Sequence, residues 1–475
     1  MAERPFVYCF GRDLRLDDHA GLAAAASRGP VLPLLVIDAV LASRLKLSPR
    51  RAAFFCSAVS ALDADLRERG SRLIVRRGAS PATIGMLVRD VDASGAAWSA
   101  SYDAAGMQRD RALQSALEED GLQAVIVHDA PAIGPEESAD ARSAQGPGYR
   151  SFAPYFDVWR ELPIGSHEYP LLLRFTRIQP DSEPLPEPPE FGSSEPQAAG
   201  GSTVAHRQFE TFLRKRAPEY ATGATIPAED GTSRLSGHLS FGTISARAIA
   251  RTVRDRIADP FSISEQRLSF RLFLRALAHR DFFLQLAWFN PETQDTPLQA
   301  KMRGFRWEPA HSALDSWRAG AIGYPLVDAG IRQLHETGWM HPHVRAVAAS
   351  LLCFDLGVDW RVGRQEWDRF LIEDDLALAT GNWQWIAGVG ADMAQYPRIY
   401  NPERQRRRYD PEGVYVRRWI GELRHVPPET WEGRTRDSIQ LPLALFDDAV
   451  YPPPVVDHAV AARAFLRRYR EFVSL

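Results

Sequence analysis

The chain has 475 residues, of which 45% are hydrophobic and 25% charged, with a formal net charge of -3. This is the composition of a globular protein of two or three domains, and the charge excludes a global attraction to nucleic acid. Any such contact needs a local basic patch. The three cysteines, Cys9, Cys56 and Cys353, each sit in an apolar run ("FVYCFG", "AAFFCSAV", "SLLCFDL"). That is the pattern of buried thiols in a reducing compartment, without metal-ligand spacing. The first apolar run is too short for a secretory signal, and "VLPLLVIDAVLA" is broken by Pro33 and Asp38. The expectation is a cytoplasmic monomer that does not enter a membrane.

Residues 1–130 alternate strand-like and helix-like runs. "FVYCFG", "VLPLLVID", "RLIVRRG", "AAWSA" and "QAVIVHD" read as buried strands. "LDDHAGLAAAASRG", "PRRAAFFCSAVSALDADLRERG", "PATIGMLVRDV" and "QRDRALQSALEEDG" read as the helices between them. This order predicts an α/β domain with a parallel, Rossmann-like sheet covered on both faces. Such sheets bind ligands beyond the carboxyl ends of their strands. No GxGxxG follows the first strand and no GxxxxGK[ST] occurs; "GVGADM" lacks the third glycine.

Residues 131–200 read as an interdomain linker, ending in the Pro- and Gly/Ser-rich "EPLPEPPEFGSSEPQAAGG". Residues 201–475 repeat at helical spacing, in "STVAHRQFETFLRKRAPEYA", "SEQRLSFRLFLRALAHRDFFLQLAWF", "YPLVDAGIRQLHETG", "HVRAVAASLLCFDLG" and "RQEWDRFLIEDDLALAT". They predict a large all-α domain. Ten of the 12 tryptophans fall here, among them Trp288, Trp307, Trp317, Trp339, Trp360, Trp367, Trp383, Trp385 and Trp419. A large helical core and a bulky planar ligand both explain that enrichment.

Four stretches carry chemistry. "GTSRLSGHLSFGTIS" sets small hydroxyls, glycines and Arg234 before a helix, which suits either a phosphate or a plain helix cap. "LHETGWMHPH" holds His335, Glu336, His341 and His343 without the HExxH spacing of a metal site. "ALATGNWQW" puts Trp383 and Trp385 two residues apart, behind the acidic Glu373, Asp374 and Asp375. "PRIYNPERQRRRYDPEGVYVRRW" interleaves Arg398, Arg404, Arg406, Arg407, Arg408, Arg417 and Arg418 with aromatic residues. That composition suits a phosphate backbone with stacking surfaces, or a solvated charged face.

Taken in order with "FGRDLRLDDHAGL", "GYPLVDAGIRQLHETGWMH", "DWRVGRQEWDRFLI" and "GNWQWIAGVGAD…RIYNPERQ", these blocks resemble the DNA photolyase/cryptochrome family along essentially the whole chain. The resemblance implies an antenna-type α/β domain and a helical domain holding FAD. It implies FAD contacts from Tyr220, Thr232, Ser233, Leu235, Ser236 and Arg280, with Arg345, Glu373, Asp375 and Ala379 about the ring. Glu373 stands where close repair relatives carry Asp. Trp383, Trp360 and Trp307 match the family's photoreduction chain, from flavin-proximal to exit. An antenna chromophore is implied, of a type the sequence leaves open.

For substrate, the resemblance implies damaged DNA, its flipped lesion facing Trp385 with Arg398 on the rim. A flavin with this role splits pyrimidine dimers by light-driven electron transfer. Several pocket positions depart from the repair pattern. His279 replaces a stacking Trp, and Ala276 a glutamate that bonds the lesion. Pro342 stands for Asn or His, Ala346 for Met or His, and Ala379 and Thr380 for a pair of asparagines. His279 or His343 could substitute from another wall. Two functions are therefore expected: a photolyase with an altered pocket, or a cryptochrome-type photoreceptor or redox flavoprotein without standard repair. The end at "EFVSL", with no long signalling tail, favours the first.

Overall fold

The computed structural model describes residues 3–140, 148–166, 173–195, 199–309, 311–391, 396–431 and 451–474. Parts of the predicted linker, 141–147, 167–172 and 196–198, lie outside the described residues. The chain forms two compact units assembled from discontinuous segments. The first comprises Met1–Ala221, Ser233–Gln294 and Ile372–Leu378; the second comprises Thr222–Thr232, Asp295–Leu371 and Ala379–Leu475.

The first unit contains the predicted parallel sheet. Its strands are β1 (Phe6–Phe10), β2 (Val31–Ile37), β3 (Ile74–Arg77), β4 (Gly95–Ser99) and β5 (Gln123–Val127), in the order β3-β2-β1-β4-β5. Pro33 sits opposite Tyr8 in an interior strand, but the ladder to β3 begins only at Leu34. Its missing N–H therefore removes nothing from that ladder. The strands are apolar at nearly every position because both faces are covered. One face packs Tyr8, Leu35 and Val75 against Phe55 and Leu62 of helix α1 (Pro49–Glu68). The other packs Val7, Leu34 and Ala96 against Ile84, Leu87 and Leu113.

Local signals start the helices as read. Ser48 accepts from the Arg51 amide and Pro49 fills the first turn of α1; Asp103 caps α2 (Ala104–Glu119) by accepting from Gly106. The same unit includes the short helix α3 (Ser236–Ser240) and the 26-residue α4 (Ser264–Phe289).

The second unit is helical. Its core combines Trp317, Leu326, Val344, Leu352, Trp360, Trp367, Trp383 and Phe465. These come from α5 (Ser312–Arg318), α6 (Pro325–Thr337), α7 (Pro342–Ser350), a π-helical turn (Leu351–Asp355), α8 (Trp360–Asp368), α9 (Leu376–Ile386) and α12 (His458–Val473), beside α10 (Pro402–Tyr409) and α11 (Val414–Trp419). Pro342 occupies the first helical position of α7, where its fixed φ suits the start and its lost N–H is not needed. Among the described residues no helix is long and apolar enough to cross a membrane.

The helical run read through "RQEWDRFLIEDDLALAT" is interrupted. Helix α8 ends at Asp368, and Ile372–Asp375 leaves helical geometry before α9 begins at Leu376. The buried carboxylate of Asp374 explains the break, as described below. Elsewhere, Gly242 holds φ +60°, and a Cβ there would meet the Arg12 carbonyl at 2.3 Å and the Asp13 Cα at 2.5 Å. This close approach locks the "FGTIS" turn onto the "GRDLRL" segment, with the Arg15 guanidinium donating to the Gly242 carbonyl (3.0 Å). Gly242→Ala is expected to lower unfolding free energy by about 3 kcal/mol, through φ strain plus overpacking. Urea denaturation measures it.

Candidate functional site

In the first unit, the strand order reverses between β1 and β4, where open α/β sheets bind ligands. A cavity opens there. Residues at and just beyond the strand ends line it: Phe10 to Arg12 at the end of β1, Val40 and Leu41 after β2, and Ser99 to Asp103 at the end of β4. Arg44, Arg109, Arg280, Trp98, Asp375 and Leu376 complete the wall. It combines aromatic surface with four guanidinium groups, those of Arg12, Arg44, Arg109 and Arg280.

The acidic triplet Glu373–Asp375 is organised by its middle member. The Asp374 side chain is fully buried. Arg12 donates to one carboxylate oxygen (2.7 Å) and to the Asp374 backbone carbonyl, and Arg44 Nε donates to the other oxygen (2.8 Å). The Arg51 guanidinium lies 3.5 Å from the carboxylate and donates to the Glu373 carbonyl at 3.1 Å. The Asp374 amide donates to the Ser240 hydroxyl (2.8 Å). Burial alone would raise this carboxyl's pKa, yet the charges of Arg12, Arg51 and Arg44 hold it far below the usual range. Sequence reasoning did not single out Arg12, Arg44 and Arg51 as partners of this carboxylate. Its signal was the first aspartate of "EDD", together with three of the arginines in the N-terminal 51 residues.

Glu373 and Asp375 flank this anchor. The Ser236 hydroxyl donates to Glu373 (3.3 Å). Asp375 accepts from the Leu378 amide (3.1 Å), starting α9. Burial raises the Asp375 pKa, partly offset by Arg280, whose guanidinium lies 4.0 Å away. Arg280 is itself fixed by donation to the Ala130 (2.7 Å) and Leu239 (3.2 Å) carbonyls.

The residues expected to contact the diphosphate lie in two groups. In the first unit, the Leu235 amide donates to the Ser233 hydroxyl (3.4 Å), and Gln208 donates to the Ser233 and Arg234 carbonyls. Arg234 holds φ +53°, an uncommon state for a side-chain-bearing residue. Tyr220 packs on Phe212 and Phe273, and burial raises its pKa. In the second unit, the Thr232 hydroxyl is buried with no hydrogen-bond partner in the protein. A strained turn and an orphaned buried hydroxyl are what a phosphate-bearing cofactor would satisfy, so the residues fit FAD.

The second unit holds the tryptophans. The Trp383 ring packs on Gly363, where an added Cβ would sit 2.2 Å from it. Trp360 is fully buried and Trp307 half-buried; Trp307 stacks on Phe465 at 6.1 Å. Two tryptophans not expected at the site continue from Trp383. Trp367 lies 4.5 Å from it between centroids, and Trp317 stacks on Trp367 at 6.0 Å and 14°. Trp385 is half-buried with the Arg398 guanidinium 5.6 Å from its ring centroid. Arg345 Nε donates to the Met340 carbonyl (2.8 Å). His341 caps α7, and His343 bonds Gln405 (3.0 Å) against the Tyr409 ring. Ala346 packs against the helical core, and Ala379 is half-buried at the start of this unit's share of α9. Thr380 accepts from Arg364 at 2.8 Å.

The basic stretch divides by role. Arg406 is buried, with its guanidinium and that of Arg417 over Trp431. Arg404, Arg407 and Arg408 are exposed.

Residues 6–184 match the family described as DNA photolyase, and residues 273–471 match the FAD binding domain of DNA photolyase. A Halobacterium salinarum deoxyribodipyrimidine photo-lyase is 33% identical, the alignment covering 94% of this chain and 95% of the relative. The chain belongs to the DNA photolyase family. Among solved structures, a class III photolyase from Agrobacterium tumefaciens superposes with TM-score 0.87 at 28% identity, covering 100% of this chain and 99% of that one. An archaeal photolyase from Sulfolobus tokodaii superposes with TM-score 0.83 at 27% identity, covering 98% and 100%. That protein is described with two FAD molecules, implying a novel light-harvesting cofactor. The expected fold, FAD as cofactor and photo-lyase class all agree with these findings.

Beside Arg280, the fully buried Asp281 accepts from Trp159 Nε1 (3.0 Å) and the Ala132 amide (2.9 Å). Burial pushes its carboxyl up to about 6. A raised folded-state pKa contributes stability that is complete below the unfolded value of about 3.9 and is lost as pH rises through the folded value. Urea midpoints are therefore expected to fall from pH 4 to pH 7 by more in the wild type than in Asp281→Asn.

Proposed function

We propose that this chain is a light-driven photo-lyase for ultraviolet-damaged DNA that reads its lesion through an altered wall. FAD, when bound, supplies the electron that splits the pyrimidine dimer. The single observation that carries the reading is the Trp385–Arg398 pair. A half-buried indole with a guanidinium over its ring offers a stacking surface for an extruded base beside a cation for a neighbouring phosphate. The exposed Arg404, Arg407 and Arg408 support a basic rim on the same unit.

The altered wall is on the first unit. His279 is packed against Phe152, with ring centroids 3.5 Å apart, and near Phe283. Burial, then the charge of Arg275, lowers its pKa to about 4. The imidazole is therefore neutral at pH 7, with one N–H donor and one acceptor. In this reading it provides both a stacking face and the lesion hydrogen bond, next to the exposed methyl of Ala276. Arg275, exposed and lying over Phe152 (5.0 Å) and Phe156 (5.5 Å), adds a cation. In the second unit, Trp383 serves as electron donor to the flavin. The antenna chromophore is assigned to the cavity beyond β1 and β4, a reading supported by its aromatic and guanidinium lining and by the second cofactor of the Sulfolobus relative.

The alanines at 276, 346 and 379 offer no polar side chain, which favours a second reading as a light-sensing redox flavoprotein without dimer repair. Illumination of the reduced, FAD-loaded protein with dimer-containing and (6-4)-containing oligonucleotides decides between them. Restoration of the dimer substrate is expected, and none of either lesion with FAD fully bound would establish the second reading. His279→Leu is expected to weaken lesion binding by about 1–3 kcal/mol, measured by competition against undamaged DNA. Arg398→Ala is expected to reduce the dependence of log K on log salt by about one ion.

A further inference from the structure

We propose that Arg361 and Arg364 steer the positive charge left on photo-oxidised Trp383 away from Trp360 and into a buried store formed by Trp367 and Trp317. The inference rests on the reading of Trp383 as the residue that donates an electron to the light-excited flavin.

The charges around the neighbouring indoles differ. Two guanidinium groups lie against Trp360, that of Arg361 at 4.9 Å and that of Arg364 at 5.4 Å from the ring centroid. Such cations are attracted to the neutral ring but repel a ring that has lost an electron. Both arginines have carboxylate partners, Asp359 for Arg361 and Asp295 for Arg364. The Arg364 side chain is only 7% exposed whereas Asp295 is 64% exposed, so water screens the anion far more than the cation. Arg364 is held there by donating to the Thr380 hydroxyl (2.8 Å). Among the described residues, no guanidinium lies over Trp367 or Trp317.

The geometry on the other side favours positive charge. Trp367 lies 4.5 Å from Trp383 between centroids, close to ring contact. Trp317 is stacked on Trp367 at 14°, so charge can spread over two nearly parallel rings. Trp367 refills Trp383 with one electron, and Trp317 refills Trp367. No bond forms or breaks. Trp317 Nε1 donates only to the Ala348 carbonyl (3.1 Å), and Trp367 Nε1 has no partner in the protein. Neither faces a base, so no proton leaves and the charge stays as an indole radical cation. Trp317 and Trp367 are 1% and 6% exposed, which denies them to a reductant in solution. Trp307, half-buried, is the member of the Trp360 route open to one. The stack therefore makes charge separation reversible, while the Trp360 route makes flavin reduction permanent. Arg364 is the positioning residue that sets the ratio.

Circular dichroism of the flavin-free protein tests the stack itself. Its exciton couplet is expected to disappear in Trp367→Phe and Trp317→Phe and to persist in Trp360→Phe; a couplet unchanged in the first two overturns the proposal. In FAD-loaded protein, Trp367→Phe is expected to cut the transient tryptophan-radical signal by about threefold or more, with Trp360→Phe retaining most of it. Arg364→Met, and the half-exposed Arg361→Gln as a milder variant, are expected to raise steady flavin photoreduction by dithiothreitol about twofold or more. A signal that survives Trp367→Phe and vanishes in Trp360→Phe overturns the store, and unchanged photoreduction in both arginine variants overturns the steering. A wild type with no tryptophan transient overturns the donor reading of Trp383 as well.

Discussion

A single buried carboxylate organises the carboxyl end of the first unit's sheet. Asp374 is fully buried with the guanidinium groups of Arg12, Arg44 and Arg51 around it. Arg12 follows β1, Arg44 lies after β2, and Arg51 is in α1. The cluster therefore ties the carboxyl ends of two neighbouring strands and their following helices to a segment more than three hundred residues later in the chain. Isolated, such a charge would be prohibitive to bury; three cations keep it ionised, and its own backbone amide, donating to the Ser240 hydroxyl, fixes its place. The break between α8 and α9 follows, because a helix through Ile372–Asp375 would carry Asp374 out of that geometry. Glu373 and Asp375 are aimed by the same anchor, and Arg12 and Arg44 also line the cavity beyond the sheet.

Buried charge is used in opposite senses within this unit. Asp374, with three cations, is held ionised, whereas Asp281 and Asp375 have raised pKa values because burial outweighs the charge of Arg280 beside them. His279 is kept neutral by the same desolvation. The second unit relies on packing instead: Gly363 leaves room for the Trp383 ring, and a methyl there would collide with it. Trp383, Trp367 and Trp317 are thereby packed in sequence in an apolar interior.

Much of this was legible in the sequence. The five strands follow from apolar runs separated by amphipathic helices, since a sheet covered on both faces needs them. Ordered motifs pointed to the family, to Trp383 and Trp385, and to Glu373 and Asp375. What periodicity could not show was long-range pairing. Asp374 reads as one more acid in "EDD" until Arg12, Arg44 and Arg51 are beside it. Arg406 reads as part of a basic patch, but its guanidinium lies over Trp431 inside the fold. Pro342 reads as a lost pocket residue, whereas its place at the first turn of α7 gives it a structural reason as well. Trp367 and Trp317 read as core tryptophans, and only the centroid distances set them apart.

The central claim, an ionised Asp374 buried among three arginines, is tested most directly by proton linkage. The measurement is the slope of unfolding free energy against pH in the acid range, about pH 2 to 4, for the wild type and for Asp374→Asn. A carboxyl with a depressed folded-state pKa stabilises the fold above its unfolded value and loses that contribution as pH falls through the folded one. The wild type is therefore expected to take up about one more proton on unfolding in that range than the variant, seen as a steeper slope. Parallel slopes in the two proteins would contradict the account, since Asp374 would then titrate alike in the folded and unfolded chain.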